Sequence, residues 1–232
     1  MTVLTFPPAL RTFGEVLRAS ASAWGSKAAF ETLGGRAVSF EQFNLRVNAL
    51  NHAVAQLGVH KGARVALLSK NCPEYLEVYG LSKSGFIVVP LNWRLAADEL
   101  VRLIGHSQAE VLVVDEAHWA MAATLRERLG TVKHFITLGT AREGWLSYEA
   151  MLANAPDSEP VEQAGPDDVL CLIYTSGTTG VPKGVAMTHA GAIGNGAAAA
   201  HELALMPEDR TLAVMPLFHA GGMWYHLFPS FA

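Results

Sequence analysis

The chain has 232 residues, 50% hydrophobic, 16% charged and 9% aromatic, and its 17 Lys+Arg set against 21 Asp+Glu leave a formal net charge of -4. A charged fraction well below the usual ~25% excludes intrinsic disorder, and the length allows one large or two small domains. The faintly acidic balance, without blocks of Lys and Arg, argues against a nucleic-acid partner.

Only two cysteines are present, Cys72 and Cys171, far apart and outside any C-x-x-C or Cys/His cluster. This usage predicts a reducing compartment and a cytoplasmic protein. The nine histidines are scattered without an H-E-x-x-H pair, so no zinc site is expected. Pro7 and Pro8 break the only N-terminal leader candidate, and no stretch reaches the ~18 continuous apolar residues of a membrane span.

In chain order, Thr12 and Glu15 have capping-box spacing, which predicts a helix running to about Trp24. The segments Ala28 to Thr32 and Arg36 to Ser39 flank Gly34-Gly35 and read as a β-hairpin. Ser39 and Gln42 repeat the capping box. Phe43, Val47, Leu50, Val54 and Leu57 then follow at helical spacing until Gly58 stops the pattern.

From residue 64 short apolar runs alternate with helical stretches: RVALLS, a helix opening near Pro73, FIVVP, a helix through AADELVRLIGHS, then VLVVD. A helix from about Glu116 to Leu129 and a strand near His134 to Leu138 continue the series. The alternation predicts an α/β fold of stacked parallel β/α layers, with strands apolar throughout because both faces of the sheet are buried. Residues 154–168, rich in Pro, Asp and Glu, read as a connector. They divide the chain into an N-terminal β/α subdomain (1–153) and the start of a second (169–232). The second holds VLCLIYTS as a buried strand, a Gly/Thr/Ser loop, GVAMTH as a strand, an Ala-rich helix from about Ala190 to Leu205, TLAVMP as a strand, and a last apolar stretch.

The loop Tyr174-Thr175-Ser176-Gly177-Thr178-Thr179-Gly180-Val181-Pro182-Lys183-Gly184 packs four Ser/Thr hydroxyls, three glycines and one lysine into eleven residues. Glycines let the backbone approach an anion, hydroxyls add uncharged donors, and Lys183 supplies a point charge, so the composition suits a polyphosphate cradle. The alternative, a flexible surface loop, gives no reason for Pro182-Lys183-Gly184 to sit at a fixed place between two strands. The P-loop pattern fails because Pro182 precedes Lys183, the dinucleotide pattern because Thr178 and Thr179 separate the first two glycines, and the nucleophile elbow because Tyr174 and Thr178 flank Ser176 as second neighbours.

The string YTSGTTGVPKG resembles the phosphate-binding motif of the adenylate-forming enzymes, the family of acyl-CoA synthetases, firefly luciferase and nonribosomal-peptide adenylation domains. Met215-Pro216-Leu217-Phe218-His219-Ala220-Gly221-Gly222 resembles the family's next motif, which lines the carboxylic-acid pocket. The resemblance implies an ATP-dependent acid:CoA ligase that forms acyl-AMP and then acyl-CoA, using Mg²⁺, with a small carboxylic acid and coenzyme A as co-substrates. It places Thr175, Ser176, Gly177, Thr178, Thr179, Gly180, Lys183 and Gly184 on the nucleotide. Lys183, Thr178 and His219 become the catalytic candidates, and His219, Gly221 and Gly222 the acid-binding ones. A core or capping histidine is the alternative for His219.

An apolar fatty or aromatic acid is expected, because Phe218, Met223 and Trp224 bring no cation or amide to His219. The family's later adenine, ribose and C-terminal lysine motifs are not found. The chain therefore reads as an N-terminal piece, with GGMWYHLFPSFA as a cut core whose Trp224, Leu227, Phe228 and Phe231 need outside cover. Self-association, or dependence on a C-terminal portion, follows from that reading. Two rival functions stand beside the ligase: a catalytically incomplete nucleotide- and acyl-binding module, and a serine hydrolase using Ser176, which lacks a nearby partner base.

Overall fold

The computed structural model describes residues 10–175 and 182–231. The local signals of the first quarter of the chain all produce structure. Helix α1 (Phe13–Trp24) opens on a closed capping box: Glu15 N–H donates to Thr12 Oγ1 at 3.1 Å and Thr12 N–H to Glu15 Oε2 at 2.9 Å. Strands β1 (Ala28–Glu31) and β2 (Ala37–Ser39) form an antiparallel hairpin, turned at Gly35 with φ +85°. The box of Ser39 and Gln42 starts α2 (Phe40–Ala55), and Gly58, at φ +78°, ends the helical run.

The centre is one seven-stranded sheet. Its strands are β3 (Arg64–Leu68), β4 (Ile87–Pro90), β5 (Ala109–Val114), β6 (His134–Thr137), β7 (Leu146–Ser147), β8 (Val169–Thr175) and β9 (Lys183–Thr188), in the spatial order β7-β6-β5-β3-β4-β8-β9. Every neighbouring pair is parallel except β8 with β9. The helices that follow are α3 (Pro73–Tyr79), α4 (Ala97–Ser107), α5 (Glu116–Leu125), α6 (Tyr148–Ala153) and α7 (His189–Glu202).

Alternate strand residues go to opposite layers, as the two-residue strand period requires. Val65, Leu67, Val88, Val111 and Val113 bury with Phe13, Leu17, Val47, Leu50 and Tyr79 on one face. Ala66, Leu68, Val89, Leu112 and Val114 bury with Leu100, Leu103, Ile104 and Leu125 on the other. Burial on both faces is why these strands read as unbroken apolar runs.

The sheet continues across residues 154–168, since β8 pairs with β4. That segment is tied to the helices by charge. Lys83, 2% exposed, donates to Asn44 Oδ1 at 2.7 Å and Asn48 Oδ1 at 2.8 Å, and pairs with Glu159 at 3.0 Å. Glu162 pairs with Arg18 at 2.6 Å and also accepts from Thr12 Oγ1. Burial lowers the Lys83 pKa in spite of Glu159. Burial pushes Glu159 the other way, upward, but Asn44, Lys83 and Asn48 outweigh it and hold the carboxyl below its usual range.

Two expectations are corrected. Residues 211–216 are not a strand: no strand neighbours them among the described residues, and Leu212 and Val214 are 72% and 74% exposed. An apolar run lacking a hydrogen-bonding neighbour forms no ladder. The terminal stretch, in turn, is covered from within. Trp224 packs on Tyr79 (ring centroids 5.5 Å) and Phe13 (6.3 Å), while Phe231 packs on Phe30, Phe40 and Phe43 at 5.1, 5.4 and 5.5 Å. The chain end thus completes the layer under α1 and α2 through helical turns, Gly221–Leu227 and Phe228–Phe231. Smaller differences are α5, which stops at Leu125 before a 3₁₀ turn, and β7 with α6, too short to produce a sequence period.

Candidate functional site

The glycine-rich motif sits where β8 leaves the sheet and β9 enters it. Thr175 and Lys183 stand opposite each other in the antiparallel ladder, as do Tyr174 and Gly184. Both ends of the intervening segment are therefore held at one point, at the carboxyl end of β8. Ser176, Gly177, Thr178, Thr179 and Gly180 lie outside the described residues. Lys183 is exposed and makes no ion pair among the described residues.

Below Lys183, the Tyr174 ring lies over Gly184, where an added Cβ would come within 3.2 Å of it. The phenol oxygen is 2.8 Å from His106 Nδ1 in the last turn of α4, and the two rings meet edge to face at 5.7 Å and 85°. Burial pushes the Tyr174 hydroxyl pKa up.

The second motif is built differently. Asn71, just past β3, donates from Nδ2 to the carbonyls of Ala213 (3.2 Å) and Met215 (2.9 Å), and its Oδ1 accepts the Leu217 N–H (3.0 Å). One amide side chain thus stands in for a neighbouring strand. A tight turn follows, with His219 N–H donating to Pro216 O at 3.1 Å. A Cβ on Gly222 would lie 2.4 Å from Pro216 O and 3.0 Å from Met215 O, both backbone atoms, so the turn closes only with glycine there. At Gly221 the Met215 side chain is the near neighbour, at 3.1 Å.

His219 is presented to solvent, while Phe218 beside it is buried edge-on against Trp93, ring centroids 6.4 Å apart. Trp93 follows β4, whose carboxyl end borders that of β8. The two motifs therefore occupy the same edge of the sheet. No hydrogen bond or ion pair joins His219 to Lys183 or Thr175 among the described residues.

The surroundings of His219 differ from expectation. Met223 and Trp224 are buried in the core and line no open surface. Arg94 stacks on Trp93 at 4.8 Å and Lys70 lies 5.7 Å from the same ring. Asn71, Trp93 and His106 carry no motif of their own. A signal that points to Asn71 and Trp93 is their place three residues past the ends of buried parallel strands, where α/β ligand sites gather.

A cleft of about 240 Å³ opens beside Asn71, between the ends of β3, β5 and β6, lined by Ser69, Cys72, Asp115, Gly139 and Tyr148. Its carboxylates already have partners: Glu74 with Arg36, Asp115 with His118, Glu116 with Arg142 and Glu149 with Arg46. Burial pushes the Cys72 thiol there up to about 12. No three His, Cys, Asp or Glu among the described residues converge as a metal site, and no helix among them is long and apolar enough to cross a membrane.

The AMP-binding enzyme family model matches residues 17–232. This chain belongs to the AMP-binding enzyme family. Among its relatives in that family, the indoleacetate–CoA ligase of Aromatoleum aromaticum is 35% identical over 190 residues, 81% of this chain and 37% of the relative. The feruloyl-CoA synthase of an Amycolatopsis species is 34% identical over 199 residues, 85% of this chain and 38% of the relative. The crystal structure of the anthranilate CoA ligase AuaEII in complex with anthranoyl-AMP superposes with a TM-score of 0.87 at 27% identity, over 97% of this chain and 44% of that one. The α/β layers are thus those of the N-terminal part of the adenylate-forming enzyme fold. The chain spans well under half the length of these AMP-binding relatives.

Proposed function

We propose that this chain carries the ATP-phosphate side of a carboxylic acid:CoA ligase, with Lys183 and the Thr175–Gly184 segment on the nucleotide and His219 with Gly221 and Gly222 toward the acid. The observation that carries this reading is the stem. Lys183, exposed and without an ion pair among the described residues, heads an edge strand opposite Thr175 at the carboxyl end of a parallel strand. Ligands of open α/β sheets bind off that edge, and an uncompensated lysine suits a polyphosphate.

In the reaction an ionised carboxylate oxygen attacks the α-phosphorus of ATP. The bond to pyrophosphate breaks and acyl-AMP forms. The thiol of coenzyme A then attacks the acyl carbonyl, AMP leaves, and the thiol proton passes to solvent. A carboxylate is already ionised at neutral pH, so the first step needs no general base. What this chain supplies is position and charge: Lys183 draws negative charge off the phosphates, and the hydroxyls of Thr175, Ser176, Thr178 and Thr179 add neutral donors.

Mg²⁺ is proposed as a companion of the ATP phosphates. Residues 174–184 contain no carboxylate to hold it. An aromatic or fatty acid is the proposed substrate class, supported for the aromatic case by the indoleacetate and feruloyl relatives, with the exposed His219 beside the Phe218–Trp93 pair as the surface it would meet. Two free cysteines fit the reducing, cytoplasmic setting proposed with this activity. The exposed 211–215 segment supports association with further polypeptide.

The test combines calorimetric ATP binding with pyrophosphate release on a panel of aromatic and fatty acids. Saturable ATP binding that Lys183→Ala weakens ~100-fold, the usual scale for a preorganised phosphate contact, is the expected outcome. ATP binding without pyrophosphate release would favour the nucleotide- and acyl-binding module. No ATP binding would refute both readings.

A further inference from the structure

We propose that His106 is a positioning residue for Lys183, acting through the Tyr174 phenol and Gly184. Strand β9 is the edge of the sheet among the described residues, and its first four residues, Lys183 to Ala186, are exposed. An edge strand with so little buried surface is held mainly by its ladder, and its end frays most readily. At this end the Tyr174 ring covers Gly184, directly beside Lys183, and the absence of a Cβ at 184 is what lets the ring lie so close.

Tyr174 is held in turn. His106 Nδ1 lies 2.8 Å from its oxygen, and the imidazole meets the phenol ring edge to face. His106 belongs to α4, which Leu100, Leu103 and Ile104 anchor in the core. An unbroken series of contacts thus runs from the core through α4, His106, Tyr174 and Gly184 to the lysine. A local hydrogen bond that served only the surface would not need the phenol wedged over a glycine of the opposite strand.

This inference rests on the proposed role of Lys183, so its test has one arm that needs no nucleotide. Backbone hydrogen exchange across residues 172–187 is compared in the wild-type chain, His106→Ala, His106→Asn, Tyr174→Phe and the double variant His106→Ala/Tyr174→Phe. ATP affinity is measured on the same set. Losing one hydrogen bond of ordinary strength corresponds to a ~2–10-fold change. Exchange at the Tyr174–Gly184 end should rise by that factor in His106→Ala and in Tyr174→Phe, with the melting temperature of the whole chain unchanged.

ATP affinity should fall ~2–10-fold in the same two variants. The double variant should be no worse than either single change, because both break one linkage. His106→Asn, whose amide reaches the position of Nδ1, should restore both readouts. Unchanged exchange in His106→Ala, or faster exchange with ATP affinity intact, would overturn the proposal. A wild-type chain that binds no ATP would refute the ligase reading instead, and the exchange arm would still decide whether His106 holds the strand of Lys183.

Discussion

His189 makes the stability of this chain sensitive to acid. It is fully buried at the first turn of α7, and its Nδ1 accepts the Phe13 N–H at 3.0 Å, joining the starts of α7 and α1. An acceptor at Nδ1 means a neutral ring. Burial lowers its pKa from 6.5 to about 4, although the carboxylates of Glu162, Asp168 and Glu15 pull upward; Lys61 pushes the same way as burial. The positive end of the helix dipole also opposes a cation at this position.

Unfolded, the ring takes up a proton near pH 6.5; folded, only near 4. Between those values the unfolded chain binds more protons, so stability is complete above pH 6.5 and falls as the pH drops toward 4. At ~1.4 kcal/mol per pKa unit, going from pH 7.5 to 4.5 removes about 2–3 kcal/mol through this one group. The assay is urea denaturation at both pH values for the wild type and His189→Asn, which keeps an acceptor for Phe13 N–H but does not titrate. The wild type should lose about 2–3 kcal/mol more than the variant between the two conditions. Equal losses would show that His189 is accessible to protons in the folded chain and refute the reasoning.

Three further outcomes follow from packing and charge. Gly222→Ala should destabilise by about 1–3 kcal/mol, since its Cβ meets the backbone of Pro216 and Met215 rather than a side chain that could turn away; an unchanged urea midpoint would show that the His219 turn relaxes freely. Lys83→Met should cost about 1–3 kcal/mol, because it leaves the Asn44 and Asn48 side-chain oxygens without their donor at a buried position, while Glu159 keeps Asn44, Asn48 and Arg18. Limited proteolysis should then cut within 154–168 sooner, and an unchanged cleavage rate would mean the connector is held by other contacts. Sedimentation at micromolar concentration should show association that Leu212→Glu/Val214→Glu reverses, because a few hundred Å² of exposed apolar surface at ~25 cal/mol per Å² is a drive of several kcal/mol; a monodisperse wild-type monomer would exclude it.

Much of this fold was legible because its signals are local. The two capping boxes close between residues three apart, and the hairpin turns at a glycine that tolerates positive φ. Burial on both faces writes an apolar run for β3, β4 and β5 whatever lies next to them. The Gly/Thr/Ser string from Thr175 to Gly184 stands out for the same reason: it is contiguous, and the phosphate role proposed for it rests on its composition. These features the sequence determined by itself.

What only the tertiary structure decided depends on partners far along the chain. TLAVMP and KGVAMT look alike as short apolar runs. One becomes β9 because β8 offers it a ladder, and the other stays single, held by Asn71 more than 140 residues earlier. The terminal aromatics have the composition of an open surface, yet they fill the space beneath α1 and α2. His106 and Tyr174, 68 residues apart, meet only once α4 has packed on the sheet. Hydrogen-bond pairing and burial belong to the neighbour as much as to the residue, and the chain supplies that neighbour only when it folds.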